Sequence, residues 1–343
     1  MPRTIEEVSH ESAHGPVGEL AVTVIGFHAS HEQVHPRTLL AAVRAAEEAG
    51  FSAAMSSDHF SPWSARQGHS GFAWSWLGAA MAGTDLSFGV VNAPGQRYHP
   101  AVVAQASATL SAMFPGRLWV ALGTGEASNE HITGDRWPPK EVRTARLLEC
   151  VNVIRALHAG EEVSHDGLVR VDRARLWTLP ETPPALIGAA VSASTAAHVA
   201  RWADGLVTVN QPVDQLRRVV AAYREAGGGG PAALQVHVSY AADDETALRI
   251  AHDQWRTNVV GPPVSWDLET VEHFDLIGER IRPEDMRDCV LISSEPGQHA
   301  AWIADLADIG FDAIYLHHVG QAQEEFIDVF GSRVLPQLDV SRP

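Results

Sequence analysis

Short apolar runs rich in β-branched residues alternate with stretches of helical apolar spacing along most of the chain. Residues 21–27 read as a strand. A helix over 36–48 follows, opened by Pro36 and stopped by Gly50. The same pairing recurs as a strand over 51–56 and a helix around 74–81, then a strand over 86–91 and a helix over 100–113 ended by Phe114-Pro115-Gly116. Residues 118–122 form the next predicted strand and 140–157 a long helix. Residues 163–171 read as a hairpin turning at Asp166-Gly167. Strands over 185–189, 205–209, 234–240 and 313–318 then alternate with helices over 195–203, 213–226, 246–255, 298–306 and 324–330. A less regular stretch with Pro262-Pro263 lies between 255 and 298.

Roughly eight strand-then-helix units is the count of a closed parallel barrel, so the pattern predicts a single (β/α)8 barrel over 20–343. A doubly wound sheet with an added domain finds neither a linker nor a break in composition. No Gly-x-Gly-x-x-Gly separates the first strand from its helix, which weakens a dinucleotide-binding reading. Residues 1–19 are polar and acidic, with nothing apolar to bury, and are expected to form a loose extension.

Composition narrows the partners. Lys and Arg number 25 against 42 Asp and Glu, a formal charge of −17 with no basic cluster to reverse it. Such a surface repels phosphate backbones and anionic membranes, leaving a small molecule as the expected partner. The first residues lack the basic and apolar regions of a signal peptide, and no apolar stretch is long enough to span a bilayer. With two widely separated cysteines, Cys150 and Cys289, expected to be ordinary thiols, the chain reads as cytoplasmic.

Two segments just past predicted strand ends carry the chemistry, where barrel enzymes keep their active sites. Ser57-Asp58-His59-Phe60-Ser61-Pro62-Trp63 offers an imidazole beside a carboxylate and an indole. Gly123-Thr124-Gly125-Glu126-Ala127-Ser128-Asn129-Glu130 offers a tight turn followed by a carboxylate. His59 is suited to take the proton of an alcohol losing hydride. Glu126, kept protonated by partial burial, could give a proton to a cofactor nitrogen. Trp63 could wall the pocket beside a charged imidazole. Gly125 would let the backbone approach a planar ring. Around Gly188-Ala189-Ala190-Val191-Ser192-Ala193-Ser194-Thr195 a helix begins, where Ser192 and Ser194 are either anion ligands or an ordinary N-cap.

Phe27, Trp74 and Trp76 are candidate pocket walls, although core packing explains the two tryptophans equally well. His28, His59, His317 and His318 near strand ends leave a metal-dependent hydrolase as a second class, without a His-x-His motif and with no metal predicted. His10, His14, His35, His158, His165 and His252 are expected to be solvated.

At these segments, and at Gly26-Phe27-His28-Ala29-Ser30-His31-Glu32-Gln33, Gln67-Gly68-His69, Arg97-Tyr98-His99-Pro100-Ala101-Val102 and Ala203-Asp204-Gly205, the chain resembles the luciferase-like flavin- or deazaflavin-dependent oxidoreductases. The likeness spans most of 22–336. Within that superfamily the chain is similar to the branch containing glucose-6-phosphate dehydrogenases that use coenzyme F420. The resemblance implies a (β/α)8 barrel, commonly a homodimer. His59 would be the base, Trp63 would steady the charge and Glu126 would protonate the cofactor ring. Asp58 and Asn129 would touch the cofactor, and Glu32 would line the substrate pocket.

Three departures qualify that expectation. The positions matching the basic residues that face a sugar phosphate fall at 209–212 and 288–289, with no Lys or Arg, so glucose 6-phosphate is disfavoured. Val90-Val91-Asn92-Ala93-Pro94 is one residue shorter than the loop that bulges against the ring through a cis peptide. Ala190-Val191 replaces a Gly-Gly turn before the phosphate-binding helix. The last two features resemble a sister group of probable non-F420 flavinoid oxidoreductases. Because His59, Trp63 and Glu126 are all present, coenzyme F420 is the favoured cofactor, and these two features make FMN the alternative. The former implies a dehydrogenase or reductase of a small hydroxyl- or carbonyl-bearing molecule, the latter a reductase or monooxygenase.

Overall fold

Alternation within each strand decides which side chains meet the helices and which meet the barrel axis. In β1 (Val24–Ala29), Ile25, Phe27 and Ala29 join the large core under the helices, while Gly26 and His28 turn inward. The computed structural model describes residues 23–338, so the predicted extension at 1–19, His10, His14 and the predicted strand residues Ala21 and Val22 lie outside the described residues.

The next strands are β2 (Ala53–Ser56), β3 (Ser87–Asn92) and β4 (Leu118–Leu122). An antiparallel hairpin, β5 (Val163–Asp166) and β6 (Arg170–Ala174), stands outside the barrel. The remaining strands are β7 (Ala185–Ala189), β8 (Gly205–Val209), β9 (Ala232–Ser239), the two-residue β10 (Leu291–Ile292) and β11 (Ala313–His318). All pairings in the main sheet are parallel, in the circuit β1-β2-β3-β4-β7-β8-β9-β11 and back to β1. That circuit is a closed eight-stranded barrel. β10 adds to the end of β9 alone.

The helices follow the expected signals. α1 (Pro36–Ala49) starts on Pro36 and ends at Gly50 with φ +103°, a left-handed stop that suits glycine. α2 (Ala73–Ala82), α3 (Pro100–Met113), the one-turn α4 (Ala127–Glu130) and α5 (Lys140–His158) follow. Then come α6 (Ala193–Val199), α7 (Val213–Glu225) and α8 (Asp244–Trp255). The irregular stretch contains two short helices that periodicity did not predict, α9 (Val264–Asp267) and α10 (Val271–Gly278). α11 (Pro296–Ala307) and α12 (Glu324–Val329) close the series.

The bottom of the barrel is filled by large rings over small ones. Trp119 on β4 occupies the space that a side chain at Gly89 would need, and Tyr315 on β11 does the same at Gly26. Their ring centroids are 5.8 Å apart. The carboxyl ends of the strands therefore remain the open end, where polar side chains collect.

Candidate active site

The loop after β2 is long, and its backbone is tied down on all sides. Asn129 Oδ1 accepts from Phe60 N at 2.8 Å, Gln67 Oε1 from Trp63 N at 2.8 Å, and Ser70 Oγ donates to His59 O at 2.7 Å. His59 is thereby held between two carboxylates. Its Nδ1 lies 2.8 Å from Glu32 Oε1 and its Nε2 3.9 Å from Glu126 Oε2.

Glu32 is buried and also receives the hydroxyls of Ser30 at 2.8 Å and Ser57 at 2.9 Å. Burial alone would raise its carboxyl, but the attraction and hydrogen bond of His59 and the Ser57 hydroxyl outweigh it, holding Glu32 well below the usual carboxylate range. Glu32, expected to line the substrate pocket, has its carboxylate engaged by His59, Ser30 and Ser57. It stands behind His59, where it fixes the ring and favours its charged form. The imidazole responds in kind. Burial lowers it, but Glu32 and then Glu126 more than reverse this, so His59 holds its proton above the ordinary histidine value.

Glu126 is partly buried, with 24% of its side chain exposed against 2% for Glu32. Burial, reinforced by the negative charges of Glu32 and Glu130 and opposed by His59, raises its carboxyl and favours the protonated acid. Trp63 meets the His59 ring edge to face, with centroids 5.0 Å apart and planes at 90°, and is itself braced by Phe274 of α10 at 5.2 Å. His59, Trp63 and Glu126 are thus brought together as the sequence suggested.

Behind them runs a buried network that sequence reasoning missed. Arg97, from the loop after β3, donates to the Asp58 carbonyl and lies 3.7 Å from both the Asp58 and Glu130 carboxylates. Its side chain is 8% exposed and stacks on Tyr98. Asp58 also accepts from Asn92 Nδ2 at 2.7 Å and Tyr98 Oη at 3.0 Å. Asn129 joins the two loops, since its Nδ2 donates to Glu126 at 3.3 Å while its Oδ1 holds the β2 loop. The side chains of Asp58 and Asn129, expected to touch a cofactor, are engaged by the protein. The signal was present in Arg97-Tyr98-His99-Pro100, a lone arginine ahead of a helix start in an acidic chain.

The remaining expectations divide by strand parity. Phe27 is fully buried against Phe51 at 6.0 Å in the core under the helices, so it is no pocket wall. Val90 and Ala190 likewise face that core, because they sit on the outward parity of β3 and just past β7. Trp74 and Trp76 pack there too. Val91 faces the axis, with Ala189 of β7 as its companion in the inner cluster. The peptides from Val90 to Pro94 are all trans.

Gly125 has φ +78°, and a Cβ there would press within 3.1 Å of Glu130 and 3.2 Å of Ala93. Ser192 caps α6, accepting from Thr195 N at 3.3 Å, and its hydroxyl lies 3.2 Å from Ser194 Oγ. His35 is exposed, but His158 is buried and bonded to Ser107 at 3.0 Å, and His165 and His252 are partly buried with partners of their own. Their expected solvation is corrected for all but His35. Of the two thiols Cys150 is buried and Cys289 partly so, and burial pushes each up to about 12.

The opposite wall is built from β9 and β11. His28 stacks on His317 at 4.5 Å, and His237 lies 5.3 Å from His317. Burial lowers all three, His28 to about 4 and His237 to about 3, so they are neutral. His318 instead stacks on Phe326 at the outer side. Among the described residues, no three His, Cys, Asp or Glu side chains gather as a metal site.

An imidazole and a carboxyl group thus face each other at the carboxyl end of a closed parallel barrel, the end where barrel enzymes keep their chemistry. The model of the family described as luciferase-like monooxygenase matches residues 17–313, and the chain belongs to that family. An F420-dependent glucose-6-phosphate dehydrogenase of Nakamurella multipartita is 34% identical over 327 residues, covering 91% of this chain and 96% of that one. An F420-dependent hydroxymycolic acid dehydrogenase of Mycobacterium tuberculosis is 33% identical over 342 residues, covering 96% and 92%. Among solved structures, an F420-dependent secondary alcohol dehydrogenase in complex with an F420-acetone adduct superposes with a TM-score of 0.85 at 28% identity, covering 92% and 99%. These relatives are oxidoreductases and give the hydrolase alternative no support.

Proposed function

We propose that this protein is an F420-dependent dehydrogenase that exchanges a hydride between the deazaflavin and a small, uncharged molecule bearing a secondary hydroxyl or carbonyl. One observation carries the reading: His59, charged from behind by Glu32, faces the partly exposed Glu126 carboxyl across 3.9 Å. The residues present suit a planar ring. Gly123 leaves open the space over Ala189, where a Cβ would stand 3.6 Å away, and Val91 continues the floor. Asn92 Oδ1 is buried without a partner among the described residues.

When bound, the deazaflavin supplies two-electron hydride chemistry and none of a flavin's oxygen chemistry. His59 takes the proton from the substrate hydroxyl through Nε2, and returns it in the reverse direction. Glu32 stabilises the imidazolium so formed. Trp63 excludes water from one side of the ring. Glu126 holds a proton available to a cofactor nitrogen, and the serines at the start of α6 are candidates for its phosphate. The substrate is uncharged because the corner where the similar branch carries cations holds Asn210, whose amide is spent on Cys289 O at 2.9 Å. A cytoplasmic homodimer is the accompanying expectation.

FMN is the second reading, favoured by Ala190-Val191 where the F420 branch has glycines. Equilibrium binding of each cofactor to the purified protein, followed by fluorescence, tests the choice. Tight binding of F420 alone is expected. Binding of FMN alone would make the protein a flavin reductase or monooxygenase, and binding of neither would sink the cofactor assignment. Because His59 is raised above its ordinary value, alcohol oxidation should require pH above about 6.5, the unperturbed histidine value. Glu32→Gln should move that limb of kcat/KM towards acid, and an unmoved limb would contradict the pairing.

A further inference from the structure

The neutral wall contains a hydrogen-bond chain whose direction is fixed from one end. At one end the carbonyl of Val319 can only accept, so it takes the amide N–H of Gln33. Gln33 Oε1 is then turned to His317 Nε2 at 2.6 Å, which must carry the proton. His317 Nδ1 is therefore a lone pair, and accepts from Gln235 Nε2 at 3.3 Å. The other hydrogen of that same amide goes to His237 Nε2, also at 3.3 Å. His237 Nε2, taking that hydrogen, is likewise a lone pair, so the proton of this neutral ring sits on its other nitrogen. The reverse polarity would set the Gln33 carbonyl oxygen against Val319 O, two acceptors with no proton between them.

The consequence falls on Gln235. Both hydrogens of its amide are committed, which locks the group's orientation, and its Oε1 has no partner among the described residues. Nor is that oxygen among the buried unpartnered atoms. Gln235 sits on β9 between Leu234 and Val236, which face the helices, so it points into the barrel yet keeps accessible surface. It shares the barrel interior with the reacting groups: its partner His317 stacks on His28 of β1, the strand that leads into the loop carrying Glu32. Around it the available groups are uncharged: neutral imidazoles, the spent amide of Asn210 and the indole of Trp255, 4.7 Å from both His237 and His317.

A fixed acceptor in a neutral hollow selects an uncharged hydrogen-bond donor. We infer that Gln235 Oε1 receives a second hydroxyl of the substrate, so the substrate class is a diol or polyol rather than a monohydric alcohol or a phosphate or carboxylate ester. This rests on the dehydrogenase reading for its role in turnover, but not for the binding it asserts. An anion would meet the lone pairs of Oε1 without a compensating cation. A monohydric alcohol, its one hydroxyl given to His59, would leave the acceptor desolvated and unpaired.

Ligand-detected NMR on the purified protein, with and without cofactor, should measure dissociation constants for trans-cyclohexane-1,2-diol and cyclohexanol. The diol should bind roughly 3- to 10-fold more tightly, the worth of one net hydrogen bond. In Gln235→Met the preference should vanish while cyclohexanol binding stays within about 3-fold, the low end of that same range. Gln235→Asn, which keeps the amide but shortens its reach, serves if the methionine variant fails to fold, and should lose the preference as well. Equal binding of the two probes by the unmodified protein, binding of neither, or a preference that survives the substitution would each overturn the assignment. Because binding is read without turnover, a diol preference in a protein that takes up neither F420 nor FMN would uphold Gln235 while removing the dehydrogenase reading.

Discussion

The two walls of the barrel mouth treat ionisable groups in opposite ways. On the side of β2 and β4, five ionisable groups form two sets of ion pairs, His59 with Glu32 and Arg97 with Asp58 and Glu130. Each is buried or nearly so, and each has an opposite charge beside it. On the side of β9 and β11, three imidazoles have no carboxylate in contact, Glu32 acting on His28 only from a distance, and all are pushed to the neutral form. Burial is common to both walls, so it does not decide charge. What decides it is whether a carboxylate came with the histidine. The first wall sets an imidazole against a partly exposed carboxyl, an arrangement suited to holding and moving a proton. The second can only present fixed donors and acceptors, which suits recognition.

The sharpest way to break the contrast is at the proton itself. His59→Ala should lower kcat by about 10²- to 10⁴-fold, the range of a positioned acid–base group, while cofactor affinity stays within several-fold. An active variant in steady-state assays would remove the catalytic role. Next is the charge that joins the two loops. Arg97→Met leaves Asp58 and Glu130 buried without their cation, and should cost about 3–5 kcal/mol in urea unfolding, as when one partner of a buried ion pair is deleted. A loss below 1 kcal/mol would mean that the two carboxylates do not depend on Arg97.

The smallest effect per group belongs to the neutral wall. Its histidines have folded-state values below the unfolded 6.5, so their contribution is fully present above that pH. It is lost as pH falls, while the unfolded chain protonates and the folded one does not. Each should weaken the fold by about 1.4 kcal/mol per pH unit between 6.5 and its own folded value, near 4 for His28. His317→Gln should flatten the acid limb of stability against pH. An unchanged slope would show that this histidine takes up its proton in the folded state.

Much of the architecture was legible because a closed barrel repeats a local rule. Strands at Leu118–Leu122, Ala185–Ala189, Gly205–Val209 and Ala313–His318 fall where the apolar runs do, since a buried parallel strand must be apolar on both faces. α9 and α10 escaped because each is too short for a period to show. At the site, the meeting of His59, Trp63 and Glu126 could be read because strand ends converge at the mouth of such barrels. Phe27, Val90 and Ala190 turn their side chains to the core under the helices, which was not legible because adjacency along a strand says nothing about which face a side chain takes until the register is known.

The sequence by itself determined the alternation of strand and helix, the acidic surface and the pair of loops that carry His59 and Glu126. All of these depend on residues close in the chain. Only the tertiary structure decided that Glu32 stands behind His59 rather than before it, that Arg97 ties Asp58 to Glu130, and that Gln235 is locked between His237 and His317. Glu32 and His59 are 27 residues apart, Arg97 and Glu130 33, and Gln235 and His317 82. A carboxylate, guanidinium or amide has no preferred partner until closure of the barrel puts one within hydrogen-bond reach and removes the competing water.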